Sequence, residues 1–297
     1  MEPSIIVTED NKLLKFTLSG VNVSIANALR RFILNDIPLT VIRTETHEEN
    51  KCNITKNTSR LHNEILKQRL SCIPIHVEYD MMDEFINKYI LEVDVKNNTD
   101  NMILVTTEHF RIKHKVSKNY LTMDEQKKIF PPFRSNYYIE FARLRPKISD
   151  TIPGEELQFT AEFSIATANI NSMFNSVSKC AYGFSPDKEK IDEKWNEVEL
   201  GFKEKDINEK EIGFAKKNFY ILDAQRHCLE NSFDFVIKSV GVYENSFIVK
   251  LAAQLLSDKF TNYCKAIDND FVPVFNSNST IPNSFDIHLK NEELYNG

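Results

Sequence analysis

Two strand-and-helix pairs, one near each end of the chain, constrain the fold more than any other feature. In the first, Leu14, Phe16 and Leu18 alternate with Lys15, Thr17 and Ser19, the period-2 pattern of a half-buried strand, and Gly20 ends it. The segment SIANALRRFILNDIP follows. Ser24 suits a helix N-cap, Ile25, Leu29, Phe32 and Ile33 recur at the 3.6-residue period, and Pro38 stops the helix. Arg30 and Arg31 fall away from that stripe. In the second pair, Phe233, Phe235 and Ile237 line one face of a strand ended by Gly241. ENSFIVKLAAQLLSDKF then reads as an amphipathic helix, capped by Asn245 or Ser246 and striped by Phe247, Ile248, Leu251 and Leu255. Such stripes either pack into the chain's own core or form half of a core that a partner completes.

Between the two ends the patterns change. LTVIRTETHEE reads as a strand, and TSRLHNEILKQRL as a helix capped by Thr58 or Ser59, with Leu61, Ile65, Leu66 and Leu70 as its stripe; CIPIHVEY is extended. From about residue 85 to 164, YILEVDV, MILVTTEHF, NYYIEFARL and ELQFTAEFSIAT alternate as strands, with Pro131-Pro132 and Pro153-Gly154 marking turns. Residues 187–217 are dense in alternating charge around Trp195, the mark of a solvated connector or exposed helix, and FYILDAQRHCLE is helix-compatible. The last stretch, 262–297, is mostly polar, with one extended candidate in SFDIHLKNE.

Composition removes whole classes. No run of about 18 apolar residues occurs, so no spanning helix is expected, and mean hydropathy is −0.38. The N-terminal MEPSIIVTEDNKLLKF has no basic lead into an apolar segment, so no signal peptide is expected and the chain reads as intracellular. A net charge of −6 gives no hint of the basic face that a free-standing nucleic-acid binder carries. Five cysteines, odd in number and scattered without a C-x-x-C pair, support neither a zinc knuckle nor a redox dithiol.

Catalytic constellations are equally lacking. There is no glycine-rich phosphate loop, G-x-S-x-G, H-E-x-x-H or D-x-D-x-D-G, and the seven histidines are dispersed. Asp80, Asp83 and Glu84 read as a solvated turn rather than a magnesium site. No catalytic residue, metal or cofactor is expected, which counts against a hydrolase.

The order of several elements resembles the signature of the RNA polymerase α-like subunits, which comprise bacterial α, its archaeal counterpart and the eukaryotic third-largest subunit. N-x-L-R-R stands at residues 27–31, then Pro38, S-x-L-H-x-E at 59–64 and R-L-x-x-I-P at 69–74. FDFVIKSVGVYENSFIVKLAAQLLSDKF resembles the family's closing strand and helix. FTAEFSIATANINSMFNSVSKCAYGF is most similar to versions from large nucleocytoplasmic DNA viruses. Two departures stand out. MMDEFINKYILEV occupies the place where eukaryotic members often hold a zinc-binding cysteine cluster, so no metal is carried over. SFDIHLKNEEL resembles the opening strand of an eleventh-subunit module, either as part of a fusion or by coincidence in a short tail.

The resemblance implies an α+β fold: a discontinuous α-like dimerisation module, a small antiparallel sheet with two helices, carrying an inserted mainly-β domain. Residues 1–48 and 231–265 would form the module, 49–185 the insert, 186–230 a charged connector and helix, and 266–297 a tail or the start of an eleventh-subunit-like module. It implies a non-catalytic assembly subunit that pairs with an α-like eleventh-subunit homologue, separate or fused, and then docks the two largest polymerase chains. DNA and RNA would be met only through the complex, with no membrane, in the nucleus or, for a viral member, in a cytoplasmic factory or the virion. Ile25, Leu29, Phe32, Ile33, Phe247, Ile248, Leu251 and Leu255 are then the expected pairing surface. Arg30, Arg31, Ser59, Leu61, His62, Glu64, Arg69, Ile73 and Pro74 are the expected docking surface for the large chains. A free-standing nucleic-acid-binding protein using the insert is the alternative, and the acidic balance weighs against it.

Overall fold

The computed structural model describes residues 2–10, 12–133, 137–149, 151–204, 208–268, 274–276 and 281–287. Its first strands are β1 (Ser4–Asp10), β2 (Leu14–Ser19), β3 (Leu39–Val41), β4 (Cys52–Asn57), β5 (Tyr89–Lys96), β6 (Ile103–Thr106) and β7 (Arg111–His114). They are followed by β8 (Glu140–Leu144), β9 (Glu156–Glu162), β10 (Ser164–Ala166), β11 (Val177–Pro186), β12 (Cys228–Ser239), β13 (Val274–Asn276) and β14 (Phe285–Ile287). The α-helices are α1 (Val23–Asn35), α2 (Asn63–Ser71), α3 (Met82–Lys88), α4 (Met123–Ile129), α5 (Lys188–Glu204), α6 (Glu209–Ile221) and α7 (Asn245–Asp268).

The two ends of the chain meet in one antiparallel sheet, ordered β1-β2-β12-β11. Its register sets Leu14, Phe16 and Leu18 opposite Ile237, Phe235 and Phe233, so both alternating segments turn their apolar residues to the same face. The Phe16 and Phe235 rings stack there with centroids 4.9 Å apart. Helices α1 and α7 cover that face, and Ala26, Leu29, Ile33, Ile248, Leu251 and Ala252 join the strand residues in one core. Each large side chain so buried contributes roughly 1.5–3 kcal/mol. Gly20 makes the tight turn from β2 into α1 at φ +78°, where a Cβ would also stand 2.5 Å from the Glu2 carbonyl oxygen.

The insert has its own sheet, β4-β9-β5-β7, and a separate β6-β8 pair. Its core centres on Phe110, Phe141 and Phe159, whose rings meet edge-on or tilted at 5.4–6.1 Å. A short β3-β10 ladder marks the junction, and Tyr79 packs against both cores.

Several boundaries depart from the sequence reading. The expected insert runs to residue 185, but β11 pairs with β12 along its length and Ala166, Phe174, Val177 and Cys180 lie in the module's core. The insert therefore gives way near residue 165. The strand expected after Pro38 is only three residues long, and MILVTTEHF breaks after Thr106 into a turn closed by His109 Nδ1, which accepts from the Thr106 N–H at 3.2 Å. Helices α3 and α4 occupy stretches whose sequence reads as extended or carries no assignment. The charged stretch is not merely solvated: α5 and α6 bury Ile191, Trp195 and Phe219 between them. At the tail, β13 pairs with β14. The end of SFDIHLKNEEL, residues 288 onward, lies outside the described residues. No helix among the described residues is long and apolar enough to cross a membrane.

Candidate functional site

Helix α1 carries more of the residues expected to act than any other element. Its N-cap is Asn22, whose Oδ1 accepts the Ile25 N–H at 3.0 Å; Ser24, the expected cap, sits exposed in the first turn. The buried line of the helix runs through Ala26, Leu29 and Ile33, with Ile25 49% exposed and Phe32 half-buried at its margin. On α7, Ile248 and Leu251 are buried, Leu255 is half-buried and Phe247 lies at the surface. The eight-residue pairing stripe is thus corrected: Leu29, Ile33, Ile248 and Leu251 are occupied by the chain's own sheet. What remains at least partly outward is Ile25 and Phe32 on α1 and Leu255 and Phe260 on α7, while Phe247, 38% exposed, packs one side of its ring against Tyr79 and Tyr243. Asn245 does more than begin α7, since its Oδ1 accepts the Ser239 N–H at 2.7 Å and fixes the turn out of β12.

Arg30 and Arg31 lie on the other side of α1. They line an open cleft of about 520 Å³ with Asn27, Asn35 and Asn169, and no carboxylate lines it. Arg30 donates from Nε and Nη2 to Asn27 Oδ1 at 3.1 and 2.9 Å, which holds its guanidinium in a fixed plane. Two cations among carboxamides offer donors in a fork suited to carboxylates or carbonyls.

The S-x-L-H-x-E segment is held differently from expectation. Neither Thr58 nor Ser59 caps α2; the helix starts at Asn63 with His62 at the N-cap, making no side-chain cap bond. Thr58 is instead bound to β9: its Oγ1 accepts the Glu156 N–H at 2.7 Å. Ser59 donates its hydroxyl to Asn57 Oδ1 at 2.7 Å. Asn57 also donates from Nδ2 to the Leu61 carbonyl and to Asn63 Oδ1, at 2.7 and 2.8 Å. It is the organiser of this loop and is absent from the residues the sequence singles out; its place just before T-S, where Asx turns form, was the available signal. His62 and Glu64 are exposed, Leu61 and Pro74 half-buried, and Ile73 buried in the insert core. Arg69 is not free as expected: it donates to the Phe141 and Glu140 carbonyls at 2.9 and 2.8 Å, joining α2 to β8. Replacing Asn57 with alanine should cost about 1–3 kcal/mol of local stability. Hydrogen exchange would then quicken at residues 58–63 while the sheet amides stay protected.

Burial pushes the Cys52 and Cys180 thiols up to about 11 and about 12, which keeps them protonated and inert.

Comparison with known proteins fits this geometry. The sequence profile of the RNA polymerase Rpb3/Rpb11 dimerisation domain matches residues 15–260, which includes both strand-and-helix pairs and the insert between them. The chain is 24% identical over 203 residues to DNA-directed RNA polymerases I and III subunit RPAC1 of Homo sapiens, covering 61% of this chain and 54% of that protein. It is 23% identical over 199 residues to DNA-directed RNA polymerase subunit Rpo3 of Methanosphaera stadtmanae, covering 64% of each. A shorter match, 40% identical over 73 residues, links it to subunit rpac1 of Dictyostelium discoideum, at 25% of this chain and 19% of that protein. Each of these matches covers less than two thirds of the relative's own length. One sheet built from both ends of the chain, two covering helices and a profile that runs from β2 into α7 lead to one conclusion: the chain belongs to the RNA polymerase Rpb3/Rpb11 dimerisation domain family.

Proposed function

We propose that the chain is a non-catalytic assembly subunit of a multisubunit DNA-dependent RNA polymerase, pairing with an α-like eleventh-subunit homologue and then docking the two largest chains. The observation that carries this reading is the division of α1 into two outward sides. One margin presents Ile25 and Phe32, with Lys259 of α7 5.8 Å over the Phe32 ring; the other presents Arg30 and Arg31 in a cleft whose lining holds no carboxylate. An apolar rim suits pairing with a like module, and the arginine cleft suits carboxylates or carbonyls of a larger partner. The loop organised by Asn57, with Ser59, Leu61, His62 and Glu64, extends the docking side, while Arg69, Ile73 and Pro74 support it from behind. DNA and RNA are then met only through the complex. The net charge of −6 supports this over a free-standing nucleic-acid binder. The FTAEFSIATANINSMFNSVSKCAYGF segment supports reading the chain as a viral member, acting in a viral factory or virion.

Replacing Arg30 and Arg31 together with alanine tests the division. Each charge-assisted contact they make on docking is worth roughly 1.5–3 kcal/mol. The small heterodimer should survive on size-exclusion chromatography while its capture by the large chains falls at least about tenfold. Loss of the heterodimer, or unimpaired assembly, would show that the two sides have been misassigned.

A further inference from the structure

The helical hairpin between β11 and β12 has a core of its own, with Ile191, Trp195, Phe219 and Ala224 buried together. Its inner face is fixed: the Trp195 and Phe219 rings are 5.6 Å apart, and the Tyr220 hydroxyl donates to Asp192 Oδ1 at 2.9 Å. Lys216 Nζ lies 5.5 Å over the Trp195 ring. The outer face of α6 is a different matter. Phe214, Ile221 and Leu222 are 68%, 62% and 65% exposed. Phe214 and Ile221 are two turns apart on one side of the helix, Lys210 and Lys217 fall along a single flank of the line they make, and exposed Glu211 stands on the opposite flank. Neither lysine is in an ion pair among the described residues.

A packed helix that shows an apolar line with cations on one flank has the form of a recognition surface rather than of a solvated connector. We propose that this face of α6 docks an amphipathic helix of a partner protein, with the apolar side seated on Phe214 and Ile221 and acidic residues along the edge facing Lys210 and Lys217. Charge complementarity selects that occupant. Nucleic acid would leave the apolar line without a counterpart. The inference stands apart from the pairing and docking sides of α1.

The test uses the full chain and a fluorescein-labelled synthetic amphipathic peptide with leucines on one face and glutamates along one edge, read by fluorescence anisotropy. A second peptide carries lysines in place of the glutamates. The acidic peptide should bind at least about tenfold tighter than the basic one. Lys210→Glu with Lys217→Glu should reverse that preference. Phe214→Ser with Ile221→Ser should abolish binding of both peptides without changing the circular dichroism or the thermal midpoint, because both side chains are exposed. Absent or charge-independent binding, or binding that survives the loss of Phe214 and Ile221, would overturn the proposal. So would self-association of the chain abolished by those serines, or tighter binding of single-stranded DNA than of the acidic peptide.

Discussion

Leu29→Asp is expected to unfold the dimerisation module, not to leave a folded chain that has merely lost its partner. Leu29 is 7% exposed and belongs to the core formed by α1, α7 and the sheet. Removing its isobutyl group leaves a cavity worth about 2–5 kcal/mol, and a carboxylate put in its place loses its hydration in that core. The combined loss, about 5 kcal/mol or more, matches the whole stability of many domains. Thermal unfolding followed by circular dichroism should show the cooperative transition lost or strongly lowered. Ile25→Asp is the contrasting change: at 49% exposure it should leave the transition in place and weaken heterodimer formation instead. If Leu29→Asp melted like the parent, the burial of that stripe within the chain would be wrong.

Gly154→Ala should be almost as damaging. Gly154 is buried, and a Cβ there would stand 1.7 Å from the Asn97 carbonyl oxygen and 3.3 Å from the Lys147 N. Neither atom is the end of a flexible side chain, so the backbone itself must move. It can move little. Asn97 is fully buried and donates from Nδ2 to the Asn101 and Leu144 carbonyls at 2.8 and 2.9 Å, while its Oδ1 accepts the Thr99 N–H at 2.9 Å. Its own N–H donates to the Glu155 carbonyl at 2.9 Å. Overpacking a corner tied at so many points should cost about 3 kcal/mol or more. A chemical-denaturation midpoint equal to the parent's would show that this corner is looser than its hydrogen bonds imply.

Periodic elements are plain in the sequence, and their surroundings are not. Strands at residues 14–18 and 233–237 are legible because alternation and burial coincide there. The same logic cannot say which part of a helical stripe is spent at home. Leu29 and Ile25 are both apolar and both on the predicted line, yet the sheet and α7 take only the first. Caps are ambiguous for a chemical reason: Asn22 and Ser24 both suit an N-cap, and only the local backbone decides between them. Helix α4 has its own signal in Thr122 and Glu125, a capping box in which each side chain satisfies the other's backbone N–H. Helix α5 is hidden by its charge, although Ile191 and Trp195 stand one turn apart and share the buried side. Arg69 reads as free because a guanidinium on a short helix usually faces water; the carbonyls of β8 that claim it come from a strand distant in sequence.

In the proposed assembly a small α-like partner covers the outward apolar residues of α1 and α7, and the pair carries the two largest polymerase chains. The most direct measurement is affinity purification of the tagged full chain from cells containing its native complex, with the masses and stoichiometry of its companions read by mass spectrometry. The account predicts one smaller chain with an α-like dimerisation domain and two much larger chains, all in equal amounts. Recovery of the tagged chain alone, or with nucleic acid and no large chains, would contradict it.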